Sequence, residues 1–142
     1  MYLWDSDILR HYGEAHPNIL LHLQHIKWSE IALPSVFVAE VLRGRCEFAL
    51  KVTPEQAPLA HKLLIKTKNF LDQFNIIIFD EDCSKALDVL IKRQKTHKRY
   101  ADFLIAAMAK AGKHVIVTRN IEHFKKLLPE SQIANWVDEK PI

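Results

Sequence analysis

The stretch Tyr2-Leu-Trp-Asp-Ser-Asp-Ile-Leu9 decides the fold class, because it joins a strand pattern directly to a helix pattern. The apolar residues from Tyr2 to Trp4 form the predicted strand, and Asp5 or Ser6 caps the helix that follows. A short strand that passes at once into a helix is the repeating unit of α/β proteins. We therefore expect the rest of the chain to alternate between strands and helices.

Short apolar runs and helical patterns alternate to the end of the chain. Further strands are predicted at residues 31–33, 75–79, 114–118 and 133–136, and the run at 75–79 is predicted to be buried. This alternation predicts a three-layer α/β/α domain with a mainly parallel sheet of about five short strands.

Capping and turn residues predict where the helices begin and end. Ser35 starts a long helix after the second strand. The segment Thr53-Pro-Glu-Gln56 combines an N-cap, a proline at the first helical position and a capping-box partner, so the next helix is predicted to start there. Gly112 is predicted to cap the end of the helix that Asp102 leads.

The composition indicates that residues 1–142 form one globular domain. Apolar residues make up 49% of the chain and charged residues 26%, so a core is expected to form without a structural metal or disulfide. Three scattered glycines cannot build a phosphate-binding loop, which excludes P-loop and dinucleotide-binding proteins. Cys46 and Cys83 have no partner at ligand spacing, so no disulfide framework or zinc module is predicted.

The sequence also predicts where the protein works. The net charge is +3, and there is no basic tail. No secretory leader is apparent, and the longest apolar run, Phe103 to Ala109, is too short to span a bilayer. We therefore expect a cytoplasmic protein that does not associate with a membrane.

Polar side chains occur where the predicted strands end. Asp5 and Asp7 follow the first strand. Asn120 follows the fourth strand, and Asp102 begins the helix before it. Because the carboxyl ends of parallel strands share one edge of a sheet, these side chains are expected to meet, with Glu40 joining from the helix after the second strand. Crowded carboxylates are stabilised by Mg²⁺ or Mn²⁺, so the pattern favours metal-assisted hydrolysis of a phosphodiester.

Each of these residues also has a structural role open to it. The first two carboxylates are suited to cap the first helix. Glu40 shares a helical stripe with Arg43, with which it would form an exposed ion pair. Asp102 complements a helix dipole, and Asn120 is typical of a turn or a helix cap. Taken one at a time, these residues do not distinguish a structural role from a catalytic one.

The joint pattern resembles the PIN domain family, and in particular its VapC-type toxin ribonucleases. The resemblance spans nearly the whole chain, through the segments Tyr2-Leu-Trp-Asp-Ser-Asp-Ile-Leu9, Ser35-Val-Phe-Val-Ala-Glu-Val-Leu42, Ala101-Asp-Phe-Leu-Ile-Ala-Ala107, Val115-Ile-Val-Thr-Arg-Asn-Ile-Glu-His-Phe124 and a closing strand at Trp136. It implies a metal-dependent endoribonuclease that is the toxin of a type II toxin–antitoxin pair. It also implies a homodimer that a small antitoxin protein holds inactive.

Aromatic residues on the early helices bear on the predicted dimer. They supply either core packing or an aromatic surface for a second copy of the chain. The residues are Trp28, Phe37, Phe48 and Phe70.

The resemblance further implies a set of site residues. Asp5, Glu40 and Asp102 would be the ligands of the metal, Mg²⁺ or Mn²⁺. Asn120 stands at the position of the family's fourth acidic or amide residue, which makes it the fourth catalytic candidate.

Two positions near these residues depart from the family pattern. Asp5-Ser6-Asp7 stands where the family commonly has Asp-Thr-Asn, so the hydroxyl is kept and a carboxylate replaces an amide. His123 stands where many members have an acid. We expect the Ser6 hydroxyl to orient Asp5, and Asp7 and Thr118 to support the metal ligands.

Basic side chains precede Asp102 in the segment Lys92-Arg-Gln-Lys-Thr-His-Lys-Arg99, which carries five of them. Such a cluster suits a phosphate backbone beside the metal site, and it is equally typical of a solvated helix end. The predicted RNA contacts are Lys95, Lys98, Arg99 and Arg119.

Two other functions stay open from the residues alone. A haloacid-dehalogenase-like phosphatase also begins with two aspartates after a strand, but the Gly-Thr that usually follows is absent here. A receiver-like domain that binds a partner without catalysis would offer a lysine after a late strand, where this chain has Thr118-Arg119. Metal-dependent cleavage of RNA would exclude both.

Overall fold

A parallel sheet lies at the centre of the computed structural model, which describes residues 1–94 and 99–142. Its strands are β1 (Tyr2–Trp4), β2 (Ile31–Pro34), β3 (Asn75–Ile77), β4 (Val115–Val117) and β5 (Ile133–Ala134). They are arranged in the order β3-β2-β1-β4-β5, and each pair of neighbours is parallel. The predicted α/β class and the parallel sheet of five short strands are therefore confirmed.

Helices cover both faces of this sheet. They are α1 (Ser6–Gly13), α2 (Pro17–Leu23), α3 (Ser35–Lys51), α4 (Ala57–Leu71), α5 (Glu81–Arg93), α6 (Tyr100–Gly112) and α7 (Ile121–Phe124). Successive strand residues point to opposite faces, so β1 contributes Leu3 to a core formed with α5, α6 and α7, and Trp4 to a core formed with α1 to α4. The two cores give the three layers that the sequence predicts.

The run of isoleucines at 75–79 does not form the buried strand that the sequence predicts. β3 is an edge strand, paired only with β2. Ile76 is 40% exposed and Ile78 is 74% exposed. An apolar run fits a strand covered on both faces, but position in the sheet depends on pairing partners that the run itself does not specify.

The helix predicted to begin at Pro54 begins later, at Ala57. The Thr53 carbonyl accepts the backbone N–H groups of both Gln56 and Ala57, so residues 53–56 form a separate turn before α4. Pro58 then takes a position in the first turn of the helix, where its missing N–H costs nothing.

Gly112 closes α6 for a different reason from the one predicted. The left-handed residue after the helix is Lys113, with φ of 55°, and Gly112 itself has no positive φ. A Cβ at Gly112 would overlap the imidazole of His114. What distinguishes this glycine is therefore the close approach of the His114 ring and not the backbone conformation.

The last strand is shorter than predicted, because the Asn135 side chain ends it. Its Oδ1 accepts the N–H groups of Val137 and Asp138, which turns the chain away from the sheet. Trp136 then packs its ring against Tyr2 and Trp4.

The four aromatic residues on the early helices differ in how deeply they are buried. Phe37 is 2% exposed, while Trp28 is 38% exposed at the edge of a ring cluster around Trp4. Phe48 and Phe70 are half-buried. Across residues 1–94 and 99–142, no helix is long and apolar enough to cross a membrane.

Candidate active site

Asp5 and Thr118 face each other at the carboxyl edge of the sheet. β1 and β4 are neighbours, and the backbone N–H of Asp5 donates to the carbonyl of Val117 at 3.0 Å, which extends the pairing by one residue. The Thr118 hydroxyl donates to Asp5 Oδ2 at 3.0 Å. The Ser6 backbone N–H donates to Asp5 Oδ1 at 2.8 Å. Both carboxylate oxygens of Asp5 are thus held in place by this edge of the sheet.

Asp102 lies in the first turn of α6 and is only 4% exposed. Its Oδ2 is 3.6 Å from His123 Nδ1 and 3.8 Å from Arg99 Nε. A buried carboxylate at a helix N-terminus is stabilised by the helix dipole and by such cationic or polar neighbours. Asp102 therefore complements the dipole of α6, as predicted, and also lies beside Arg99 and His123.

Glu40 reaches the same edge from α3, which begins directly after β2. Burial raises the pKa of Glu40, the Arg99 guanidinium lowers it, and the charges of Asp5 and Asp102 raise it. Arg43, the predicted ion-pair partner, lowers the Glu40 pKa less than Arg99 does. Glu40 is therefore in the electrostatic field of both other predicted metal ligands.

Asp5 experiences the same crowding of negative charge. Burial raises its pKa above the usual value, and the carboxylates of Asp7 and Asp102 raise it further. The hydrogen bonds from Ser6 and Thr118 oppose these effects and lower the pKa of Asp5. Mutual repulsion among buried acids is the condition that a bound cation relieves.

Only one of the two carboxylate oxygens of Asp7 accepts a hydrogen bond from the described residues. Its Oδ2 accepts the backbone N–H of Arg119 at 3.1 Å. Its Oδ1 is buried and has no hydrogen-bond partner among the described residues. Such an atom is expected to meet a metal-bound water or another donor.

Ser6 and Asn120 contact the neighbourhood of Asp5 through their backbone N–H groups. Asp5 is oriented by the backbone N–H of Ser6 and by the hydroxyl of Thr118, whereas we expected the Ser6 hydroxyl to orient it. Asn120 is exposed at the start of α7, and its backbone N–H donates to Thr118 Oγ1 at 3.0 Å. Its side chain makes no capping hydrogen bond.

The donor set fits a hard divalent cation in its chemistry. Asp5, Glu40 and Asp102 offer carboxylate oxygens, and Asp7 Oδ1 is a further buried oxygen close by. In the described part of the chain, no three Asp, Glu, His or Cys side chains already converge on a single point. Binding a cation here would therefore require the carboxylates to move closer together.

The four predicted RNA contacts have separate outcomes. Lys95 and Lys98 lie outside the described residues. Arg119 forms two hydrogen bonds to Asp138, at 3.1 and 3.3 Å, which direct its guanidinium toward the C-terminal segment. Arg99 lies beside Asp102.

Two open grooves flank α3. One, of about 580 Å³, lies between α3 and α6 and is lined by Glu40, Arg43, Phe79 and Tyr100 among others. The second, of about 390 Å³, begins at Ser6 and has Arg10, Arg45 and Lys66 along its sides. Neither groove was apparent from the sequence, because residues far apart in the chain form each one.

The contact of Arg99 and His123 with Asp102 is the main part of the site that sequence reasoning missed. His123 stood out only as a departure from the family pattern, and Arg99 only as one member of a basic run. The contact itself joins residues 24 apart on different elements, which local patterns do not reveal.

Comparisons with known proteins identify the family of the chain. The family model described as PIN domain matches residues 5–127. No curated protein sequence matches the chain.

Several solved structures share the fold. The chain is similar to FitAcB from Neisseria gonorrhoeae, with a TM-score of 0.68, 22% identity and coverage of 96% of this chain and 98% of that one. It is similar to a toxin–antitoxin complex from Klebsiella pneumoniae, with a TM-score of 0.67, 20% identity and coverage of 99% and 100%. It is also similar to VapBC2 from Rickettsia felis bound to a promoter DNA fragment, with a TM-score of 0.68, 25% identity and coverage of 95% and 98%.

Proposed function

Because the chain belongs to the PIN domain family, we propose that it is a divalent-metal-dependent endoribonuclease and the toxin of a type II toxin–antitoxin pair. The observation that carries this proposal is the electrostatic coupling of Asp5, Glu40 and Asp102 at the carboxyl edge of the sheet. Acids that repel one another in a folded protein have a cost in stability, and a catalytic cation offers the reason for keeping them together.

Asp5, Glu40 and Asp102 would hold Mg²⁺ or Mn²⁺. Such an ion lowers the pKa of water and stabilises a leaving oxygen when it is bound. Thr118 and the Ser6 N–H hold the Asp5 carboxylate in one orientation before a cation enters. In this proposal Asp7 Oδ1, which is buried without a hydrogen-bond partner among the described residues, and the Asn120 amide would hold water or complete the coordination.

RNA is the proposed substrate. A single strand of RNA exposes phosphates, which bind cationic side chains, and bases, which stack on aromatic rings. Tyr100 is 59% exposed beside the groove that Glu40 lines, and the groove on the other side of α3 has three basic residues. The first groove is lined by Glu40, a proposed metal ligand, and the second by Ser6, the residue after Asp5, which supports a path for a single RNA strand past the site.

A small antitoxin is the proposed protein partner, and a homodimer in the cytoplasm is the proposed state of the toxin. Support for the antitoxin comes from the similar structures, one of which is a toxin–antitoxin complex. The homodimer rests on the family resemblance alone. Light scattering at micromolar concentration tests the dimer: a monomeric mass would contradict it and would leave the catalytic proposal intact.

The catalytic proposal is tested with labelled RNA and the purified full chain. We expect cleavage with Mg²⁺ or Mn²⁺, none with EDTA, and loss of cleavage in Asp5→Asn, Glu40→Gln and Asp102→Asn. Asp88→Asn is the matched control, because Asp88 is an exposed acid paired with Lys92 on α5.

Two results would contradict the ribonuclease proposal. One is full cleavage in EDTA or in any of the three site variants. The other is release of phosphate from a small phosphomonoester, or trapping of an aspartyl-phosphate mimic, without RNA cleavage. That second result would favour the phosphatase or the receiver-like domain.

A further inference from the structure

We propose that Arg99 is a built-in counter-ion of the acidic site, which holds Asp102 and Glu40 in the absence of a divalent cation and competes with that cation for them. The inference rests on the proposed metal site, but it does not depend on RNA as the substrate. Arg99 is a positioning residue in this proposal, because it acts on the metal ligands and not on the reacting atoms.

The position of Arg99 is fixed by α6. Arg99 is the residue directly before the helix, and its carbonyl accepts the backbone N–H of Asp102 at 3.1 Å. This turn brings the guanidinium back over the carboxylate, with Nε 3.8 Å from Asp102 Oδ2. The contact therefore follows from the way the helix starts.

His123 holds the other end of the guanidinium. Arg99 Nη1 lies 3.3 Å from His123 Nδ1. Arginine has only donors, so Nδ1 is the acceptor in this contact. The same Nδ1 lies 3.6 Å from Asp102 Oδ2, so His123 holds the guanidinium beside that carboxylate.

The same guanidinium acts on a second acid, from a different helix. Arg99 has the strongest lowering effect on the pKa of Glu40, in opposition to burial and to the charges of Asp5 and Asp102. One permanent positive charge thus offsets part of the repulsion between acids on α3 and α6. A divalent cation held by the same acids would do this more strongly, and two cations in one place repel each other.

Arg99 is also free to leave the site. Its side chain is 55% exposed, whereas that of Asp102 is 6% exposed. Swinging into solvent costs an exposed arginine little, while the buried carboxylate stays where α6 places it. A divalent cation is therefore able to displace the guanidinium without unfolding the helix.

The test is calorimetric titration of Mn²⁺ into the full chain without RNA. We expect Arg99→Gln to bind Mn²⁺ roughly three- to tenfold more tightly than the wild type, since the competing charge is gone. Arg99→Lys keeps the charge and should stay near the wild type. Arg93→Gln is the matched control, because it removes the same charge from the exposed end of α5 and should leave the affinity unchanged.

Thermal unfolding is a second readout. With EDTA present, Arg99→Gln should melt at a lower temperature than the wild type, because the charge of Arg99 no longer offsets the repulsion between the acids. Mn²⁺ should raise the melting temperature of Arg99→Gln by more than it raises that of the wild type.

The outcomes separate this proposal from the proposed function. Equal or weaker Mn²⁺ binding by Arg99→Gln would overturn the counter-ion role and leave the ribonuclease intact. Tighter binding without RNA cleavage would support the counter-ion role and contradict the ribonuclease. If neither protein binds Mn²⁺, the metal site and the counter-ion proposal are both wrong.

Discussion

The Thr118 hydroxyl donates its hydrogen to Asp5 across 113 residues of sequence, with Oγ1 3.0 Å from Oδ2. The same oxygen accepts the backbone N–H of Asn120 at 3.0 Å. A hydroxyl has one hydrogen and two lone pairs, so both bonds form at once. Thr118 therefore connects the end of β4 to the carboxylate at the end of β1.

Replacing Thr118 with valine tests this connection. Thr118 is fully buried, and valine has nearly its shape but no hydroxyl, so Asp5 loses a donor and the Asn120 N–H loses an acceptor. We expect a loss of about 1–3 kcal/mol in the free energy of unfolding, measured by urea denaturation. Thr118→Ser keeps the hydroxyl and should recover most of it. A Thr118→Val chain as stable as the wild type would contradict the role of this hydrogen bond.

Glu40→Gln should make the metal-free chain less sensitive to rising pH. The pKa of Glu40 is raised in the folded state, chiefly by burial, so between the ordinary value of 4.5 and the raised value the folded chain binds more protons than the unfolded chain. Stability then falls as pH rises through this interval, and the loss is complete above the raised pKa. Asp5, whose pKa is also raised, contributes in the same direction.

Urea denaturation in EDTA on both sides of this interval measures the effect. The stability of Glu40→Gln relative to the wild type should increase with pH and then level off. A difference that is constant with pH, or that decreases, would mean that Glu40 is not destabilised by its surroundings.

Two glycines of the chain should respond in opposite ways to alanine. At Gly112 a Cβ would overlap the His114 ring, which is also 3.2 Å from the N-terminal amine, so Gly112→Ala is expected to cost about 1–3 kcal/mol. Gly44 lies inside α3 with open space around it, so Gly44→Ala should stabilise the chain by about 0.5–1 kcal/mol. Thermal unfolding of both variants checks the pair. A stabilising Gly112→Ala would show that the imidazole moves aside at little cost.

Asn120→Asp should tighten metal binding. The three proposed ligands supply three negative charges, which suits one divalent ion, and the amide of Asn120 adds none. A carboxylate at the exposed start of α7 would add charge next to Thr118 and lower the Mn²⁺ concentration needed for cleavage. Asn120→Ala should weaken cleavage without abolishing it. Unchanged Mn²⁺ affinity of Asn120→Asp in a calorimetric titration would place this side chain outside the site.

The sequence predicts the order of the elements well, because capping residues and apolar runs are local. From the sequence, helix capping and metal binding are alternative roles for Asp5. In the structure, one carboxylate oxygen of Asp5 accepts the Ser6 N–H and the other accepts the Thr118 hydroxyl. A carboxylate has two oxygens, so the structural role does not exclude the chemical one. The edge position of β3 depends on pairing between strands and has no local signal.

The contact between Arg99 and His123 likewise could not be predicted from the sequence. It depends on how α6 and α7 pack, and no periodicity links the two residues. What the sequence does provide is the set of acids, because their positions after strands and at helix starts are defined by the chain itself.

The central position of β1 has a consequence for the time at which the site forms during synthesis. β1 is translated first, yet one of its two neighbours in the sheet is β4, which begins at Val115. Until that strand emerges, one edge of β1 stays unpaired and Asp5 has no Thr118 to face. A product interrupted before β4 would contain Asp5, Glu40 and Asp102 without the fold that assembles them. The site of the proposed nuclease is therefore complete only once β4 has been synthesised.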